Sequence, residues 1–262
     1  MAETSQRNVL LEVDGHVAVV TLNRAEKLNA LTLDMLSALS EIAAGLESDR
    51  NVRCVILTAA GERAFCVGAD INAWSALEPL DMWRSWVKRG HQVFDQWAAL
   101  RQPVIAAING HALGGGLELA AVADLRVATP SVQFGLPEVS IATCPGWSGT
   151  QRLAAIIGVS QLKYLALTAR RMSAGEAERV RFVHQLASDE PALATARRLA
   201  AEICALAPVS VQLTKQSINA GHGEGVARAL ESVAGALAAS THDAREGLAS
   251  FREKRPPSFR GD

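Results

Sequence analysis

The chain lacks the features that mark several large classes of protein. Its 26 Lys and Arg residues nearly balance its 27 Asp and Glu residues, and the formal net charge is -1. Charge therefore gives no reason to expect nucleic acid or an anionic membrane as a partner. No apolar run approaches the roughly 20 residues of a membrane-spanning helix, and residues 1–7 lack the apolar core of a signal peptide. We expect a cytoplasmic protein that acts without membrane or nucleic acid.

Metal-binding and nucleophile motifs are also missing. The histidines show neither H-x-x-x-H nor H-E-x-x-H spacing, and residues 146–150 read G-W-S-G-T, which is not the G-x-S-x-G of a serine hydrolase. His111 is the histidine most worth examining, because it lies in a glycine-rich corner. The cysteines are scattered without C-x-x-C spacing, which indicates reduced thiols and no zinc site: Cys54, Cys66, Cys144 and Cys204.

What is present predicts a mixed α/β fold. With 262 residues, of which 49% are hydrophobic, the chain can bury a large core, and no linker or repeat divides it. Alternation predicts strands at Val9–Val13 and Val17–Leu22, joined at Asp14-Gly15 by a type I′ turn. Thr32 can cap a following helix, and 52–58 reads as a buried strand. The chain therefore starts with a β-β-α unit.

The second half is predicted to be mostly helical. Beyond Gly158, Ser173 and Glu176 have the spacing of a capping box, and helices are predicted over 191–206, 209–220 and 225–241. The tail over 251–260 is basic, carries two aromatic residues, and could be a disordered end.

Residues 74–100 hold four of the five tryptophans in a helical pattern. Such an aromatic stripe is usually core or subunit interface, although a helix that covers a ligand pocket has the same appearance.

The most informative stretch is 109–120, N-G-H-A-L-G-G-G-L-E-L-A, which follows the apolar strand Val104–Ile108. Three glycines between two buried elements cost backbone entropy, so either backbone approaches something closely or N-H groups at the helix start stay uncovered. Such N-H groups bind developing negative charge, and Glu118 follows about one turn later. A tight turn whose glycines only permit close packing is the alternative.

Five segments, 24–30, 65–71, 109–120, 134–138 and 145–153, together resemble the enoyl-CoA hydratase (crotonase) family, in order and at family-like spacing. The resemblance implies an α/β fold in which β-β-α units wind as a right-handed spiral. It implies a core over 1–190 that holds the CoA and acyl site. It also implies a C-terminal helical region over 191–262 for oligomerisation and active-site cover, in a trimer or a hexamer made of two trimers.

The resemblance also implies site residues. Backbone N-H groups of Ala69 and Gly115 would form an oxyanion hole for the thioester oxygen, and Glu118 and Glu138 would be the catalytic carboxylates. The residues expected to bind the rest of the substrate are Lys27, Leu28, Ala30, Gly68, Asp70, Ile71, Asn72, Gly114 and Trp147. Asn72 stands where many relatives have lysine, and Arg181 stands where a helix-ending glycine is common.

The activity implied is hydration of a 2-enoyl-CoA to a 3-hydroxyacyl-CoA, with CoA as part of the substrate and no separate cofactor. Glu118 would deprotonate water and Glu138 would deliver a proton to C2, with their ionisation states driven apart by proximity. An enoyl-CoA isomerase or another crotonase-type reaction remains an alternative, and so does a non-catalytic CoA- or RNA-binding scaffold. The tail near Lys254, Arg255 and Phe259 is expected to reach a neighbouring subunit's CoA site.

Overall fold

The computed structural model describes residues 8–220, 231 and 234–262. Its strands are β1 (Val9–Asp14), β2 (Val17–Leu22), β3 (Cys54–Ala59), β4 (Ala64–Cys66), β5 (Val104–Ile108), β6 (His111–Leu113), β7 (Leu125–Ala128), β8 (Gln133–Gly135), β9 (Arg171–Ser173) and β10 (Gln185–Leu186). Its α-helices are α1 (Leu33–Ser48), α2 (Ile71–Trp74), α3 (Pro79–Asp81), α4 (Lys88–Ala99), α5 (Gly115–Ala120), α6 (Gly149–Ile157), α7 (Val159–Leu167), α8 (Ala174–Arg179), α9 (Ala192–Cys204), α10 (Pro208–Asn219) and α11 (His242–Glu253). The described residues also include two 3-10 helices (Ala25–Lys27 and Glu138–Ile141) and a π-helical segment (Met82–Val87).

Two sheets are built from successive strand pairs. The first has the order β1-β2-β3-β5-β7-β10 and the second the order β4-β6-β8-β9. Within the first sheet only the β1–β2 pair is antiparallel, and β3, β5 and β7 run parallel. Three successive pairs, β3–β4, β5–β6 and β7–β8, each add one strand to each sheet before a helix follows. This is the spiral of β-β-α units that the family resemblance implies, and the fold prediction is confirmed.

The core lies on both faces of the first sheet. One face and the second sheet pack with α1, α4 and α5 into the main cluster, which includes Leu36, Phe65 and Trp97. The other face packs against α9, whose small residues Ala196 and Ala200 lie in a second cluster. Small side chains let a helix approach a sheet closely, so α9 can cover the sheet at short range. The boundary near residue 190 between a core and a helical region stays a prediction.

The N-terminal hairpin is confirmed, but its turn is different from the predicted one. Asp14 pairs with Val17, so the two loop residues are Gly15 and His16. Gly15 has a φ of +56°, whereas His16 is not among the residues with positive φ. A type I′ turn needs positive φ at both positions, so the predicted turn type was wrong. The following strand β3 begins at Cys54 rather than at Val52.

Of the strands of the second sheet, β4, β6 and β9 were not predicted, whereas β8 lies within a stretch, 132–139, that was predicted to be extended. Each of β4, β6, β8 and β9 has three residues, which is too short for an alternating pattern to be recognised. Their existence depends on pairing between distant parts of the chain. The capping box at Ser173 and the cap at Thr32 are confirmed by the hydrogen bonds that their side chains accept.

The aromatic stripe is mostly core. Trp97 is fully buried, Trp86 is 4% exposed, and Trp83 is 66% exposed. The indole nitrogen of Trp97 donates to the Leu39 carbonyl, 3.0 Å away, which fixes α4 on α1. A subunit-interface role for the whole stripe is therefore excluded, because most of it is used within one chain.

The C-terminal tail is ordered, so its interpretation as a disordered end was wrong. The carboxylate of Asp243, at the start of α11, accepts hydrogen bonds from the N-H groups of Arg260 and Gly261, each at 2.7 Å. Arg53 donates to the Phe259 carbonyl at 2.9 Å and so connects the tail to the rest of the chain.

Helix α11 was not predicted. Of the predicted helix over 225–241, residues 231 and 234–240 are helical, and the remainder lies outside the described residues.

Arg181 ends α8 in a Schellman motif. The Arg181 N-H donates to the Glu178 carbonyl and the Phe182 N-H donates to the Ala177 carbonyl. Arg181 has a φ of +64°, in the left-handed region that glycine usually occupies at this position. The cap keeps its usual geometry although arginine stands where glycine is common.

No helix in the described residues is long and apolar enough to cross a membrane.

Candidate active site

Eight of the predicted site residues line one cavity of about 260 Å³. The cavity lies where the two sheets meet the N-termini of α5 and α6 and the helical segment that precedes α4. The eight are Gly68, Ala69, Ile71, Gly114, Gly115, Glu118, Glu138 and Trp147. The structure therefore brings together both glutamates and both residues predicted to form an oxyanion hole.

The N-H group of Ala69 is left free by the way its loop pairs. Leu31 donates to the Gly68 carbonyl and accepts from the Asp70 N-H, so this parallel bridge uses the residues on either side of Ala69. The N-H of Gly115, the first residue of α5, has no carbonyl of its own helix to reach. Among the described residues neither N-H has a protein acceptor. The cavity thus holds two uncommitted donors, as an oxyanion hole requires.

Glycine is needed where these two donors meet. Gly68 has a φ of +97°, and a Cβ built on it would lie 2.9 Å from the Gly115 nitrogen. A Cβ on Gly114, whose φ is +54°, would lie 3.0 Å from a Glu138 carboxylate oxygen. Any side chain at Gly68 would separate the two loops, and one at Gly114 would displace the carboxylate. The close-approach interpretation of the triple glycine is therefore supported over a turn that serves packing alone.

Glu118 is buried and held by the beginning of α6. Its side chain is 2% exposed, and its Oε1 accepts hydrogen bonds from the N-H groups of Trp147 and Gly149, both at 2.9 Å. Burial raises the pKa of Glu118, and these donors oppose that rise because they favour the carboxylate. Two backbone donors on one oxygen fix the position of the carboxyl group.

Glu138 lies in a different environment. It begins a 3-10 helix, is half-buried, and its Oε2 is buried without a hydrogen-bond partner among the described residues. Burial, with a smaller contribution from the charge of Glu118, raises the pKa of Glu138 to about 7. The cavity therefore holds two carboxyl groups in different environments: one is anchored by two backbone N-H groups, and the other has a pKa near neutral pH.

A polar network supports the turn that holds Glu118. Ser148 stands between the two N-H donors with a φ of +67°. Its hydroxyl lies 2.6 Å from Nδ1 of His91 and donates to the Asp95 carboxylate at 3.3 Å. Asp95 also pairs with Arg152 of α6. These side chains of α4 and α6 fix a left-handed serine, and with it the donors on either side.

Near the cavity, an ion pair joins the loop over 24–30 to the loop that carries Ala69. Arg24 contacts the Asp70 carboxylate at 2.6 Å and donates to the Ala30 carbonyl at 3.0 Å. The hydrogen bond from Arg24 lowers the pKa of Asp70. Asn29 is fully buried at a φ of +55° and donates to the carbonyls of Ala60 and Ala64.

Five predicted substrate-binding residues lie outside this cavity: Lys27, Leu28, Ala30, Asp70 and Asn72. Lys27 and Asn72 are exposed. The Asp70 carboxylate is occupied by Arg24 and by the N-H of Asn72, which it caps at 3.0 Å. Four of them belong to the two joined loops and Asn72 lies in α2 directly after, so a substrate contact for them remains a prediction.

Most residues of the cavity wall were not predicted one by one, although the sequence left open that the helical stretch over 74–100 covers a ligand pocket. The wall is largely apolar and comes from segments with no recognised motif: Trp74, Met82, Trp86, Val87, Ile141 and Cys144. Helical periodicity could have indicated that these residues share a buried face, but not which cavity they line.

His111 is structural, because its Nδ1 accepts a hydrogen bond from the Gln133 N-H. Among the described residues no cluster of His, Cys, Asp or Glu could hold a metal ion.

Comparison with known proteins agrees with this geometry. The family model for enoyl-CoA hydratase/isomerase matches residues 12–262. A short-chain-enoyl-CoA hydratase of Clostridium acetobutylicum is 41% identical over 250 residues, which cover 95% of each chain. An (E)-benzylidenesuccinyl-CoA hydratase of Thauera aromatica is 38% identical and covers 97% of this chain and 99% of its own.

Solved structures give the same result. The crystal structure of an enoyl-CoA hydratase from Bacillus anthracis superimposes with a TM-score of 0.94 at 37% identity, over 98% of this chain and 100% of that one. The chain belongs to the enoyl-CoA hydratase/isomerase family. The family assignment made from the five sequence segments is therefore confirmed.

The contact between α6 and Glu118 can be tested at Gly149. A Cβ at Gly149 would overlap the side chain of Glu118, whereas a Cβ at Gly45 in α1 would meet nothing within 4 Å. Gly149→Ala should destabilise the protein by about 1–3 kcal/mol through overpacking. The matched control Gly45→Ala should stabilise it by roughly 0.5–1 kcal/mol. Thermal melts compare the two. A Gly149→Ala protein that melts at or above the wild-type temperature would show that the contact is not tight.

Proposed function

We propose that the protein is a 2-enoyl-CoA hydratase, which adds water across the 2,3 double bond of an enoyl thioester to give a 3-hydroxyacyl-CoA. One observation carries the proposal. A single cavity holds two free backbone donors and two carboxyl groups whose environments differ. Hydration of a conjugated thioester needs stabilisation of an enolate oxygen, a base for water and a proton source for C2.

The backbone donors would bind the thioester oxygen. Attack of water at C3 moves negative charge onto this oxygen, and N-H groups of Ala69 and Gly115 would stabilise it. Donors that are fixed by the fold need no reorganisation as the charge develops, and loss of one such donor typically costs about 3 kcal/mol. The role is performed by backbone, which accounts for the small residues at these positions.

The two glutamates would divide the proton transfers. Glu118, fixed in place by two N-H groups, would accept a proton from the attacking water. Glu138, with a pKa of about 7, would supply a proton to C2 of the enolate. The cavity must therefore start each hydration with one proton on the pair. After addition the proton has moved from Glu138 to Glu118, and exchange with solvent restores the starting state.

Relatives support this assignment through their names. They include the short-chain-enoyl-CoA hydratase of Clostridium acetobutylicum and a crotonyl-CoA hydratase of Syntrophomonas wolfei, 36% identical over 254 residues.

In this proposal CoA enters as part of the substrate and no separate cofactor takes part. The four cysteines are unpaired, which suits the reducing conditions of the cytoplasm.

The two carboxyl roles can be tested one at a time. Glu118→Gln and Glu138→Gln should each lower kcat for hydration of crotonyl-CoA by at least about 10²-fold, because each removes a proton-transfer partner at nearly constant size. Binding of the thioester should persist, because its oxygen is held by backbone N-H groups. Loss of absorbance at the enoyl-thioester band measures the rate. Glu41→Gln, at an exposed position on α1, is the control and should leave the rate unchanged.

The same variants distinguish the isomerase alternative. Moving a proton between C4 and C2 of a 3-enoyl-CoA needs a single base. An isomerase should therefore lose turnover in Glu138→Gln and tolerate Glu118→Gln, which would contradict the hydratase proposal. Binding of the ester by wild type without hydration, isomerisation or exchange of its C2 proton would exclude both enzyme activities. That result would leave the non-catalytic scaffold as the remaining alternative.

The shared proton predicts the pH dependence. Because the pKa of Glu138 is about 7, kcat/KM for hydration should fall above about pH 7 and approach a tenfold loss per pH unit. Overall hydration neither releases nor consumes a proton, so dehydration of the 3-hydroxyacyl-CoA should show the same profile. Initial rates in both directions between about pH 6 and about pH 9 provide the measurement. A flat profile over this range would contradict the one-proton requirement.

We also propose that the chain forms a trimer or a dimer of trimers. Large apolar side chains are exposed on its C-terminal helices: Ile218 at 74%, Leu248 at 61% and Phe251 at 84%. Exposed apolar residues on adjacent elements are typical of association surfaces. Sedimentation at micromolar concentration should give a multiple of three chains. A single species of 27.8 kDa would contradict it.

A further inference from the structure

The cavity is small for a ligand pocket and its walls are aromatic. Its volume of about 260 Å³ lies just below the roughly 300–1,000 Å³ of pockets that hold drug-sized ligands. Three tryptophans line it: Trp74, Trp86 and Trp147. Large rigid side chains limit the size of a ligand more strictly than flexible ones, because an aromatic ring cannot change its shape to make room.

Trp147 stands directly beside the proposed oxyanion donor. A Cβ built on Gly115 would lie 2.8 Å from both Cε3 and Cζ3 of the indole, so only glycine allows the ring to lie there. The thioester carbonyl would bind at the Gly115 N-H, and the acyl chain starts at that carbonyl. The six-membered ring of Trp147 therefore lies within the first few carbon atoms of the chain.

The indole is also held on its other sides. A Cβ at Gly90 of α4 would overlap its Nε1, so Gly90 provides the space that the ring occupies. Trp86 packs at a ring-centroid distance of 5.7 Å, and Phe94 packs edge-on at 5.3 Å. The side chain is 3% exposed. A ring enclosed between two glycines and two aromatic rings cannot rotate away to admit a longer ligand.

We propose that Trp147 closes the acyl end of the cavity and restricts the enzyme to enoyl thioesters with short acyl chains. This proposal rests on the proposed hydratase function, and it assigns Trp147 as the residue that sets chain length. Gly90 and Gly115 act with it, because they create the space in which the ring is fixed. Trp147 contributes its backbone N-H to Glu118 separately, so a change of side chain alters chain-length preference without removing that hydrogen bond.

The test compares two substrates on matched variants. Wild type should hydrate the four-carbon crotonyl-CoA at least tenfold more efficiently, in kcat/KM, than the ten-carbon trans-2-decenoyl-CoA. Trp147→Leu should shift the ratio of the two kcat/KM values at least tenfold towards the longer chain. Trp147→Phe, which keeps a ring, should shift it less and provides a second variant if Trp147→Leu folds poorly. Trp83→Ala, an exposed tryptophan outside the cavity lining, should leave the ratio unchanged.

Binding separates this inference from the hydratase proposal. Calorimetry with the saturated esters butyryl-CoA and decanoyl-CoA reports chain-length preference without any reaction. If wild type binds butyryl-CoA more tightly and Trp147→Leu reverses the order, the role of Trp147 stands even where no hydration is found. Equal use or binding of both chain lengths by wild type would overturn the inference, and so would an unchanged ratio in well-folded Trp147 variants.

Discussion

The hydrogen bonds from the N-H groups of Trp147 and Gly149 to Oε1 of Glu118 are the interaction on which the site depends. They place a buried carboxylate at a point where α5 and α6 meet. They favour the charged form of a side chain whose pKa is raised by burial, and so they support its proposed role as the base for water. The same turn carries the Trp147 side chain, so one local structure positions both a reacting group and a wall of the acyl site.

This arrangement needs backbone to approach backbone and side chain at unusually short range. Glycine at 68, 115 and 149 leaves room for the neighbouring nitrogen, indole and carboxylate, respectively. The cost is conformational entropy and, at Gly68, a backbone with positive φ, and the packing of the surrounding elements must offset it. Ser148 shows the same compensation, since a non-glycine residue at positive φ is held by His91 and Asp95.

Much of this could be predicted from the sequence, for physical reasons. The hairpin at Val9–Leu22, the buried strand at Val104–Ile108 and the corner at Gly114–Glu118 carry local patterns that periodicity and glycine chemistry reveal. The three-residue strands of the second sheet do not, because pairing with distant segments creates them. The order of the tail depends likewise on the Asp243 carboxylate binding residues that follow α11.

The candidate site divides in the same way. Eight of the residues that the family resemblance implied line the cavity and five lie outside it, and the resemblance gave no indication that Gly90 shapes the space for Trp147. It also gave no reason to single out Arg24, whose ion pair joins two loops that are far apart in sequence. Contacts of this kind depend on three-dimensional proximity, and no spacing rule in one chain encodes them.

The central claim is that one enzyme molecule adds water at C3 and a solvent-derived proton at C2 of the same thioester. Incubating the wild-type protein with crotonyl-CoA in D₂O enriched in ¹⁸O tests it most directly, with mass spectrometry of the product. The account predicts 3-hydroxybutyryl-CoA that carries ¹⁸O at C3 and a single non-exchangeable deuterium at C2. Recovery of crotonyl-CoA alone, or of a product without ¹⁸O at C3, would contradict it.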